Sequence, residues 1–521
     1  LWFIIDLIQI SATGILHDEA YYYTWGQYLD WGYFDHPPMV AVLTYLGDLF
    51  FDDFWSVRFF SALLHAFTVL FIWKTIDYKH KQTQKSILYF FGIAFTLPMF
   101  SVYGFITTPD SALLFFFALS IWAFKRFTEH RNNLDIIWLS LGVSGMILSK
   151  YHAFLILLLA LIVYWKIIKD KRFWIVLIAV LLIVTPHFLW LYEHDFITFK
   201  YHLIERSKGF KLKYILEFIP GQFAALNPYY LSLFLIITFK GYKLDSFNKN
   251  MRFFVVGILL FFTLMIFKGR VEAHWTTIAS IPMLFVIFPY VLELSQKKSY
   301  PKYIIGGFVI LISCIRILIM FNKLPEINFD KYEVEYYQKM NDFVNQKPVV
   351  FIGSFQKPAT YYYATKGAEV ANKPCYGQRH TQFELWDWHY NIVGMPAFIV
   401  SRSSKQAPVY QYKGNTYKGW FIDYYQDNRL INIEYEIKTK SLKVGNKYSI
   451  DLKIRNTSTV DYNFKSLDMP LQVKVAFVGK YPIKKLFTGL PLNKLSILKA
   501  GESQSFETSF TVPKKLTEQN Y

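Results

Sequence analysis

Charge is scarce in this 521-residue chain: Asp, Glu, Lys and Arg make up 18% of it, whereas 53% is hydrophobic and 20% is aromatic. A soluble protein of this size needs more charge to cover its surface. The apolar residues form long blocks before about Asn322, and the last third has the composition of an ordinary soluble protein. These features predict a polytopic α-helical membrane domain followed by an aqueous part.

Cysteine is also scarce, since only Cys314, in an apolar run, and Cys375, in the aqueous part, are present. Two such residues are not expected to pair, so no disulfide framework is predicted. The net charge of +18 resides in short loops between apolar blocks, which argues against nucleic acid as a partner. The chain opens inside an apolar stretch, and we expect Leu1 to Ile10 to be the tail of a first spanning helix.

Apolar runs of about 20 residues are long enough to cross a membrane. They predict roughly eleven spans, the first ending near Ile10 and the others near 58–78, 86–106, 110–127, 134–149, 151–168, 173–192, 226–240, 252–268, 274–294 and 302–321. The loops alternate between rich and poor in Lys and Arg, and the rich set is cytoplasmic by the positive-inside rule. An odd number of spans then places the first loop and the C-terminal part outside, on the periplasmic side of the inner membrane.

The expected domains are a transmembrane domain over 1–321, a small α/β domain over 322–404 and a β-sandwich over 405–521. In the second, "PVVFIGSF" and "PAFIVS" are typical of buried strands next to helical segments. In the third, the alternation in "INIEYEIKTKSLKVGNKYSIDLKIRN" predicts antiparallel strands of an immunoglobulin-like sandwich.

The ionisable residues that this topology leaves unexplained all fall at the outer ends of spans. They are Asp18, Glu19, Asp35, His36, Asp110, Lys150, His152, Lys268, Arg270, Glu272 and His274. Such groups are costly at membrane depth unless they pair or line a wet cavity. Carboxylates from two loops and cations from two others therefore predict one polar pocket suited to an anionic substrate.

Each of these residues also has a purely structural interpretation. Asp18 and Asp110 can cap helices, and "EAYYYTWGQYLDWG" is typical of a helix that ends at Gly32. Lys150 and Lys268 can extend toward lipid headgroups. The aromatic face of the first-loop helix favours a membrane-interface anchor over a ligand, and comprises Tyr22, Trp25 and Leu29.

Four segments, "DEAYYYTW…YFDHPP", "TPDSALLFF", "LSKYHA" and "GRVEAHW", occur in this order. They resemble the bacterial family 39/83 glycosyltransferases of the membrane GT-C superfamily, which includes protein O-mannosyltransferases and the aminoarabinose transferase that acts on lipid A. The resemblance covers Leu1 to Phe321. It implies transfer of a sugar from a polyprenyl-phosphate donor to a hydroxyl on protein, lipid A or another glycan, at the outer face of the membrane.

The resemblance implies that Asp18 is the catalytic base, Glu19 its acidic companion and Asp110 the second catalytic carboxylate. In the family's aromatic-acidic-Lys-Pro turn, His36 replaces the Lys, which leaves open how His36 meets a phosphate. The residues expected to bind the donor phosphate are His36, Lys150, Lys268 and Arg270. Those expected to bind substrate are Tyr21, Tyr22, Tyr151, His274 and Trp275.

The chemistry of such a transfer fits these residue types. A hydroxyl acceptor loses its proton as it attacks the sugar C1, so a carboxylate must stand near it. Nearby negative charge stabilises an oxocarbenium-like transition state, and cations or a metal stabilise the leaving phosphate. One direct displacement inverts the anomeric centre. A divalent metal held by Asp18, Glu19 and Asp110 remains an open alternative.

A long outer loop, "EHDFITFKYHLIERSKGFKLKYILEFIPGQFAALNPYY", is either an amphipathic helix on lipid headgroups or a flap over the donor phosphate. Its basic residues are Lys200, Arg206, Lys208, Lys211 and Lys213. Two other functional classes are a lipid or glycan transporter or flippase, and a membrane-anchored surface-assembly protein. Transporters carry polar groups near the midplane and show repeated halves, whereas this polar set lies at one edge. The sequence therefore favours the enzyme.

Overall fold

The protein is described by a computed structural model, which covers residues 1–77, 81, 83–130, 132–202, 209–324, 329, 332–375, 378–401, 408–412, 415–439, 441–478, 485–492 and 495–514. Contacts within the chain divide it into two compact units, Leu1–Glu335 and Tyr336–Tyr521.

The first unit is built from α-helices. They are α1 (Trp2–Ala12), α2 (His17–Gln27), α3 (Met39–Phe50), α4 (Asp53–Thr75), α5 (Gln84–Phe95), α6 (Pro98–Val102), α7 (Pro109–Glu129), α8 (Asn133–Ser149), α9 (His152–Val163), α10 (Lys171–Glu193), α11 (Ile197–Lys200), α12 (Leu212–Leu226), α13 (Pro228–Phe239), α14 (Ser246–Met265), α15 (Ser280–Lys297) and α16 (Tyr300–Met320). Two 3₁₀ segments, Trp165–Lys169 and Ala273–Ala279, adjoin α10 and α15.

Six of these helical segments are long and apolar enough to cross a membrane: α4, α7, α10, α14, α16 and the continuous stretch Ala273–Lys297. The count becomes seven if the bent pair α12 and α13 is one span, and α1, α3, α8 and α9 are shorter apolar helices. The prediction of a polytopic helical membrane protein is confirmed, while the count of about eleven spans stays a prediction. The span expected over 86–106 is divided into α5 and α6 because Pro98 occupies the first turn of α6.

The bend between α12 and α13 is 97°, and it occurs at Asn227. The backbone φ of Asn227 is +68°, which ends α12, and its side-chain oxygen accepts a 3.0 Å hydrogen bond from the Tyr229 amide to begin α13. The Asn227 amide group also donates to the Thr96 carbonyl at 2.9 Å. This corner is therefore tied to the end of α5, and α12 occupies the segment predicted as a surface helix or flap.

A buried polar network joins the first and last apolar helices of this unit. Arg316 on α16 donates to Asp6 Oδ1 at 2.7 Å and to Gln9 Oε1 at 3.2 Å, both on α1. His65 on α4 lies 3.2 Å from the other oxygen of Asp6. Asp6, His65 and Arg316 are at most 4% exposed. Such buried charges are tolerated because each has a partner.

The second unit begins within α17 (Tyr332–Phe343) and contains α18 (Gln356–Ala364), α19 (Gln382–Leu385) and α20 (Trp388–Asn391). Its first sheet is formed by β1 (Val349–Ile352), β2 (Val370–Lys373), β3 (Ala397–Val400), β4 (Pro408–Tyr412) and β5 (Asn415–Ile422), in the order β2-β1-β3-β5-β4. The central strand β1 pairs in parallel with both β2 and β3. This is the predicted α/β unit.

One boundary differs from the prediction. Strand β5 pairs antiparallel with β3, Ala397 opposite Ile422, so the sheet continues across the division expected at residue 404. The alternation of side chains marks β4 and β5 as strands, but it carries no information about which sheet a strand joins. The α/β part therefore extends to the end of β5.

The remaining strands are β6 (Ile431–Glu436), β7 (Lys447–Asn456), β8 (Tyr462–Asn463), β9 (Lys474–Val478), β10 (Lys485–Gly489), β11 (Ile497–Leu498) and β12 (Ser503–Thr511). All their pairings among the described residues are antiparallel, in the sets β12-β7-β6, β10-β9 and β11-β8. Leu452, Ile454 and Phe510 lie in the core between them. The strand-rich C-terminal part agrees with the sequence, and its immunoglobulin-like topology stays a prediction.

Candidate active site

The aromatic first loop folds as a short helix whose end is fixed by one tyrosine. Helix α2 ends at Gln27 rather than at Gly32, because the Tyr33 hydroxyl lies 3.1 Å from the Trp25 carbonyl and 3.0 Å from the Tyr28 carbonyl. The Tyr33 ring stacks on that of Trp25, with centroids 4.4 Å apart. Gly32 is needed for another reason: a Cβ there would lie 2.4 Å from the Trp190 ring.

The aromatic face of α2 does not anchor the helix in the membrane interface. Tyr21, Tyr22 and Trp25 are each at most 9% exposed. Their rings pack against one another, with the Tyr21 and Trp25 centroids 4.9 Å apart and the Tyr22 and Trp25 centroids 5.1 Å apart. The prediction of interface anchors is therefore wrong for Tyr22 and Trp25, because periodicity cannot distinguish packing on protein from packing on lipid.

Glu19 is fully buried, and both of its carboxylate oxygens are occupied. Oε1 accepts 2.7 Å and 2.8 Å hydrogen bonds from Arg58 Nε and the Thr107 amide, and Oε2 accepts from Arg58 Nη2 and from the Leu16 amide. Arg58 also donates to the Thr13 and Gly14 carbonyls. Glu19 thus joins α2, α4 and the segment before α7. This differs from the expected catalytic role, because no oxygen of Glu19 is left to face a substrate.

Asp110 and Lys150, predicted to have separate roles, form one ion pair. Lys150 Nζ donates to Asp110 Oδ2 at 2.6 Å, and the two side chains are 8% and 7% exposed. Asp110 does not cap α7, because Thr108 does so by accepting from the Asp110 amide. Lys150 follows α8 directly and does not extend to solvent. The loops before α7 and after α8 therefore meet at this pair.

The charges of three carboxylates act on the hydroxyl of Tyr22. Burial raises the pKa of Tyr22 well above its usual value, and the charges of Asp18, Asp35 and Asp110, with a contribution from Tyr21, raise it further. Asp18 lies in the first turn of α2 and is exposed, and Leu16 rather than Asp18 is the N-cap residue. The Tyr22 hydroxyl consequently keeps its proton at neutral pH and can donate a hydrogen bond.

Tyr103, which the sequence analysis did not single out, belongs to the same acidic group. Burial raises its pKa well above the usual value, and the charge of Asp110, the neighbouring Tyr22 and a hydrogen bond to Asp110 add to this effect. A hydrogen bond with Thr277 opposes it. In sequence, Tyr103 is one tyrosine among 38, and its position seven residues before Asp110 gave no distinct signal.

Cationic and histidine side chains gather beside the acidic group. His152, at the start of α9, interacts electrostatically with Lys150, His202, His36 and His274. These residues come from four segments of the chain, so distant loops converge here. The cluster adjoins the carboxylates through Lys150, which pairs with Asp110.

His202 is the second residue that sequence reasoning missed. Its Nε2 lies 3.1 Å from the Asp35 carbonyl, and its ring centroid is 6.3 Å from that of His36. The His36 ring in turn lies 6.2 Å from the Tyr22 ring. The turn Asp35–His36 therefore contacts both groups: His36 lies beside Tyr22 on one side and beside His202 on the other.

Tyr151 and His187 form a hydrogen-bonded link behind the cluster. Tyr151 Oη lies 3.2 Å from His187 Nε2, and His187 Nδ1 lies 2.7 Å from the Trp31 carbonyl. Since a carbonyl only accepts, Nδ1 carries the proton and Nε2 accepts from the tyrosine. The Tyr151 ring is 6.4 Å from that of His202, so this predicted substrate residue lies at the edge of the site.

The last predicted segment is only partly at the cluster. The Trp275 ring lies 5.6 Å from that of His152, and His274 is adjacent in the 3₁₀ segment. Arg270, in contrast, is 60% exposed and pairs with Glu217 on α12 at 3.4 Å and with Glu272 at 3.6 Å. Lys268 is exposed after α14. Of the loop cations, Arg206 and Lys208 lie outside the described residues.

The residues considered as metal ligands do not fit a metal. Both oxygens of Glu19 are bonded to Arg58 and backbone amides, and Asp110 is bonded to Lys150. Within the described parts of the chain, no group of three His, Cys, Asp or Glu side chains has a geometry that holds a metal ion. We therefore derive no step through a metal.

Comparison with known proteins places this arrangement in context. The family model "Dolichyl-phosphate-mannose-protein mannosyltransferase" matches residues 35–190, a range that contains Asp35, Asp110 and Lys150. Lipid A galacturonosyltransferase RgtD of Rhizobium johnstonii is 26% identical over 317 residues, which cover 57% of this chain and 66% of that protein. The chain thus spans slightly less than two thirds of that relative's length.

Two solved structures share the fold. ArnT from Cupriavidus metallidurans in the apo state has a TM-score of 0.51 and 13% identity, and the match covers 76% of this chain and 90% of ArnT. The structure of the same protein bound to undecaprenyl phosphate has the same score and identity, with 80% and 96% covered. Both matches extend beyond the transmembrane helices into the C-terminal unit, because the first unit ends at Glu335 of 521 residues.

Proposed function

We propose that this chain, a polytopic membrane protein of the ArnT-like GT-C glycosyltransferase type, transfers one sugar from a polyprenyl-phosphate donor to a hydroxyl acceptor at the outer face of the inner membrane. The observation that supports this best is the meeting of Asp18, Asp35 and Asp110 around Tyr22, beside Lys150 and the histidines. Carboxylates that can accept the proton of the acceptor and stabilise charge on the sugar thus lie next to cations that can bind a phosphate.

Asp18 is the proposed general base. Among the three carboxylates around Tyr22 it is the exposed one, whereas Asp35 and Asp110 are at most 7% exposed. A base must reach the acceptor hydroxyl within hydrogen-bond distance, and loss of such a base lowers a rate by about 10²–10⁴-fold. Glu19, one residue later, acts as a positioning residue, since its bonds to Arg58 and Thr107 hold α2 against α4 and α7.

The developing positive charge on the sugar is proposed to face Asp35 and Asp110. Buried carboxylates in a water-poor site stabilise an oxocarbenium-like centre more strongly than carboxylates in water do. Lys150 holds the Asp110 carboxylate in place through a 2.6 Å hydrogen bond. One in-line attack by the acceptor oxygen on C1 breaks the bond to the donor phosphate, so the product has the inverted anomeric configuration.

The leaving phosphate is proposed to be bound by the histidine and lysine cluster. His36, in the turn where the aminoarabinose transferase carries a lysine, lies near His202 and His152, and an imidazole N–H can donate a hydrogen bond to phosphate. Lys150 adds a fixed positive charge. Lys268 and Arg270, exposed at the end of α14, are proposed to meet the donor only on its approach.

The acceptor is proposed to be the glycolipid lipid A, or a related surface lipid. The support is similarity to a protein named lipid A galacturonosyltransferase, together with a site at the outer ends of apolar helices, where a lipid-borne hydroxyl can arrive from the membrane plane. The positive-inside distribution of Lys and Arg supports a periplasmic site.

The test is transfer by purified protein from a polyprenyl-phosphate sugar to lipid A, followed by mass spectrometry. We expect Asp18→Asn to lower turnover at least 100-fold and to leave donor binding unchanged. The matched control is Glu129→Gln, an exposed carboxylate at the other end of α7, which should retain turnover. Full transfer by Asp18→Asn would remove Asp18 as the base, and retention of the donor's anomeric configuration would exclude a single displacement.

A further inference from the structure

The second unit contains a cavity at the edge where its parallel strands end. The cavity has a volume of about 320 Å³ and is lined by Ile352 at the end of β1, Gly353 directly after it, Asn372 at the end of β2 and Val400 at the end of β3. This volume is at the lower end of the ~300–1,000 Å³ that is usual for small-molecule sites. Strand β1 lies between β2 and β3, so the connections from this edge diverge to opposite sides. Open α/β sheets bind ligands at such a switch point.

The described residues that line the cavity include two cations and no carboxylate. Lys357 lies in the first turn of α18, a nine-residue helix that begins just after β1, and this turn is the positive end of the helix dipole. The Lys357 amide donates to Ser354 Oγ at 3.3 Å, so the lysine contributes its side chain. Arg379 also lines the cavity, and its guanidinium carbon is 4.5 Å from the centre of the Phe355 ring. A guanidinium can bind a planar or tetrahedral anion with two hydrogen bonds.

A buried acceptor in the cavity wall provides an independent observation. Asn372 is 5% exposed, and its Nδ2 donates to Glu384 Oε1 at 2.9 Å. Because a carboxylate only accepts, this bond fixes the orientation of the amide and directs Oδ1 away from Glu384. Among the described residues, Asn372 Oδ1 has no hydrogen-bond donor. A buried acceptor in this state is unfavourable unless a ligand or water supplies a donor.

The rim of the cavity is held by side-chain bonds. Gln378 donates to the Gly353 carbonyl at 3.1 Å and accepts from the Cys375 amide at 2.8 Å. Gly353 has a φ of +76°, and a Cβ there would lie 3.1 Å from Cys375 Sγ, so both the backbone conformation and the close approach favour glycine. The site is therefore formed before any ligand binds.

We propose that this cavity binds a small acidic carbohydrate, a single sugar that carries a phosphate or a carboxylate. The anionic group pairs with Arg379, Lys357 and the first turn of α18, and a sugar hydroxyl donates to Asn372 Oδ1. The site lies entirely within the second unit and is separate from the proposed transfer site. It gives this glycosyltransferase a second place at which to recognise acidic surface glycans or their building blocks.

The test is ligand-observed NMR and calorimetry on the full chain in detergent, with glucose 1-phosphate, galacturonate, glucose and inorganic phosphate as probes. We expect at least one acidic sugar to bind tenfold or more tightly than glucose and than phosphate alone. Tighter binding of glucose 1-phosphate would identify phosphate as the anionic group. Tighter binding of galacturonate would identify carboxylate. Failure of both acidic sugars to bind would overturn the proposal, as would phosphate alone binding as tightly as the sugars.

Variants assign the binding to this cavity. Arg379→Gln should weaken the acidic sugar at least tenfold, and Asn372→Ala should weaken it severalfold while the melting temperature is monitored. The matched control is Lys339→Gln, which removes an exposed cation of the same unit outside the cavity. Unchanged binding in both Arg379→Gln and Asn372→Ala would overturn the proposal. Binding is measured without turnover and is repeated in Asp18→Asn, so failure here is distinguishable from failure of the proposed transfer reaction.

Discussion

Lys150 and Asp110, 40 positions apart in sequence, are joined by a 2.6 Å hydrogen bond in a nearly closed environment. The pair links the end of α8 to the start of α7 and lies where the acidic group meets the histidine cluster. Removing either partner leaves the other as an uncompensated buried charge.

The pair should behave as one unit in a double-mutant cycle. Asp110→Asn and Lys150→Met are each expected to lower turnover about 100-fold or more, and the double variant should be no worse than the poorer single. Residues in direct contact typically show coupling of about 0.5–3 kcal/mol. The measurement is the transfer rate of all four proteins under saturating donor. Strictly additive losses would show that the two residues act independently.

Glu19 and Asp18 are adjacent, yet only the substitution of Glu19 should lower the stability. Glu19→Gln leaves Arg58 buried without its charged partner, and breaking a buried pair in this way costs about 3–5 kcal/mol. We therefore expect a clearly lower unfolding temperature in detergent for Glu19→Gln. Asp18→Asn, at an exposed position, is the control and should unfold like the parent protein. Loss of turnover with unchanged stability in Glu19→Gln would instead make Glu19 a catalytic residue.

Arg270 and Lys268 should matter much less than Lys150. Arg270 is 60% exposed and its two ion pairs are longer than 3.3 Å. Exposed pairs of this kind contribute about 0–1 kcal/mol, which corresponds to at most about a fivefold change. We expect Arg270→Gln and Lys268→Gln to raise the KM for donor by no more than that, with kcat unchanged. A loss of turnover as large as that of Lys150→Met would place these cations at the reacting phosphate.

The second unit should be destabilised by acid through one buried carboxylate. Burial opposes ionisation of Asp427, but hydrogen bonds from Arg429 and its charge lower the pKa of Asp427 below the usual value. Because the folded pKa lies below the unfolded pKa, near 3.9, the contribution is fully present above the unfolded pKa and is lost progressively as the pH falls from there through the folded pKa.

The check is the unfolding temperature of the second unit, followed by tryptophan fluorescence between pH 7 and pH 3. It should fall most steeply below about pH 5, where the unfolded carboxyl begins to bind a proton. Asp427→Asn is expected to be less stable at pH 7, and its unfolding temperature should fall less steeply as the pH is lowered. Asp468→Asn, at an exposed position, should retain the parent profile, and an unchanged slope in Asp427→Asn would assign the acid sensitivity to other groups.

Local pattern was sufficient for much of the fold. Apolar runs indicated most helices of the first unit, and alternation or buried apolar runs indicated strands such as β1, β3 and β7. The lengths of the apolar runs were less informative about the number of membrane spans, since α8, α9 and α13 are too short to count as spans by themselves. The predicted end of α2 at Gly32 was wrong, because the helix end depends on the hydroxyl of Tyr33, which bonds the Tyr28 carbonyl, and not on the glycine.

The candidate site was predictable as a set of residues but not as a set of contacts. Motif order predicted that Asp18, Asp110 and Lys150 come together, because each lies at the end of an apolar block. In the structure Lys150 is bonded to Asp110, and the charges of Asp110 and Asp18 both act on Tyr22. The partner of Glu19 could not be predicted, since Arg58 lies 39 positions away inside an apolar helix. His202 and Tyr103 were missed because each is an ordinary residue type in an unremarkable local pattern.

The Asp6–Arg316 contact sets an order for biogenesis. Asp6 enters the bilayer with the first helix, and His65 follows soon after, but the guanidinium that completes the network is 310 positions away. At about 5–20 residues per second, the ribosome needs roughly 15–60 s to synthesise that distance. During this interval Asp6 is without its guanidinium partner, so the contact between α1 and α16 can form only after α16 has been synthesised.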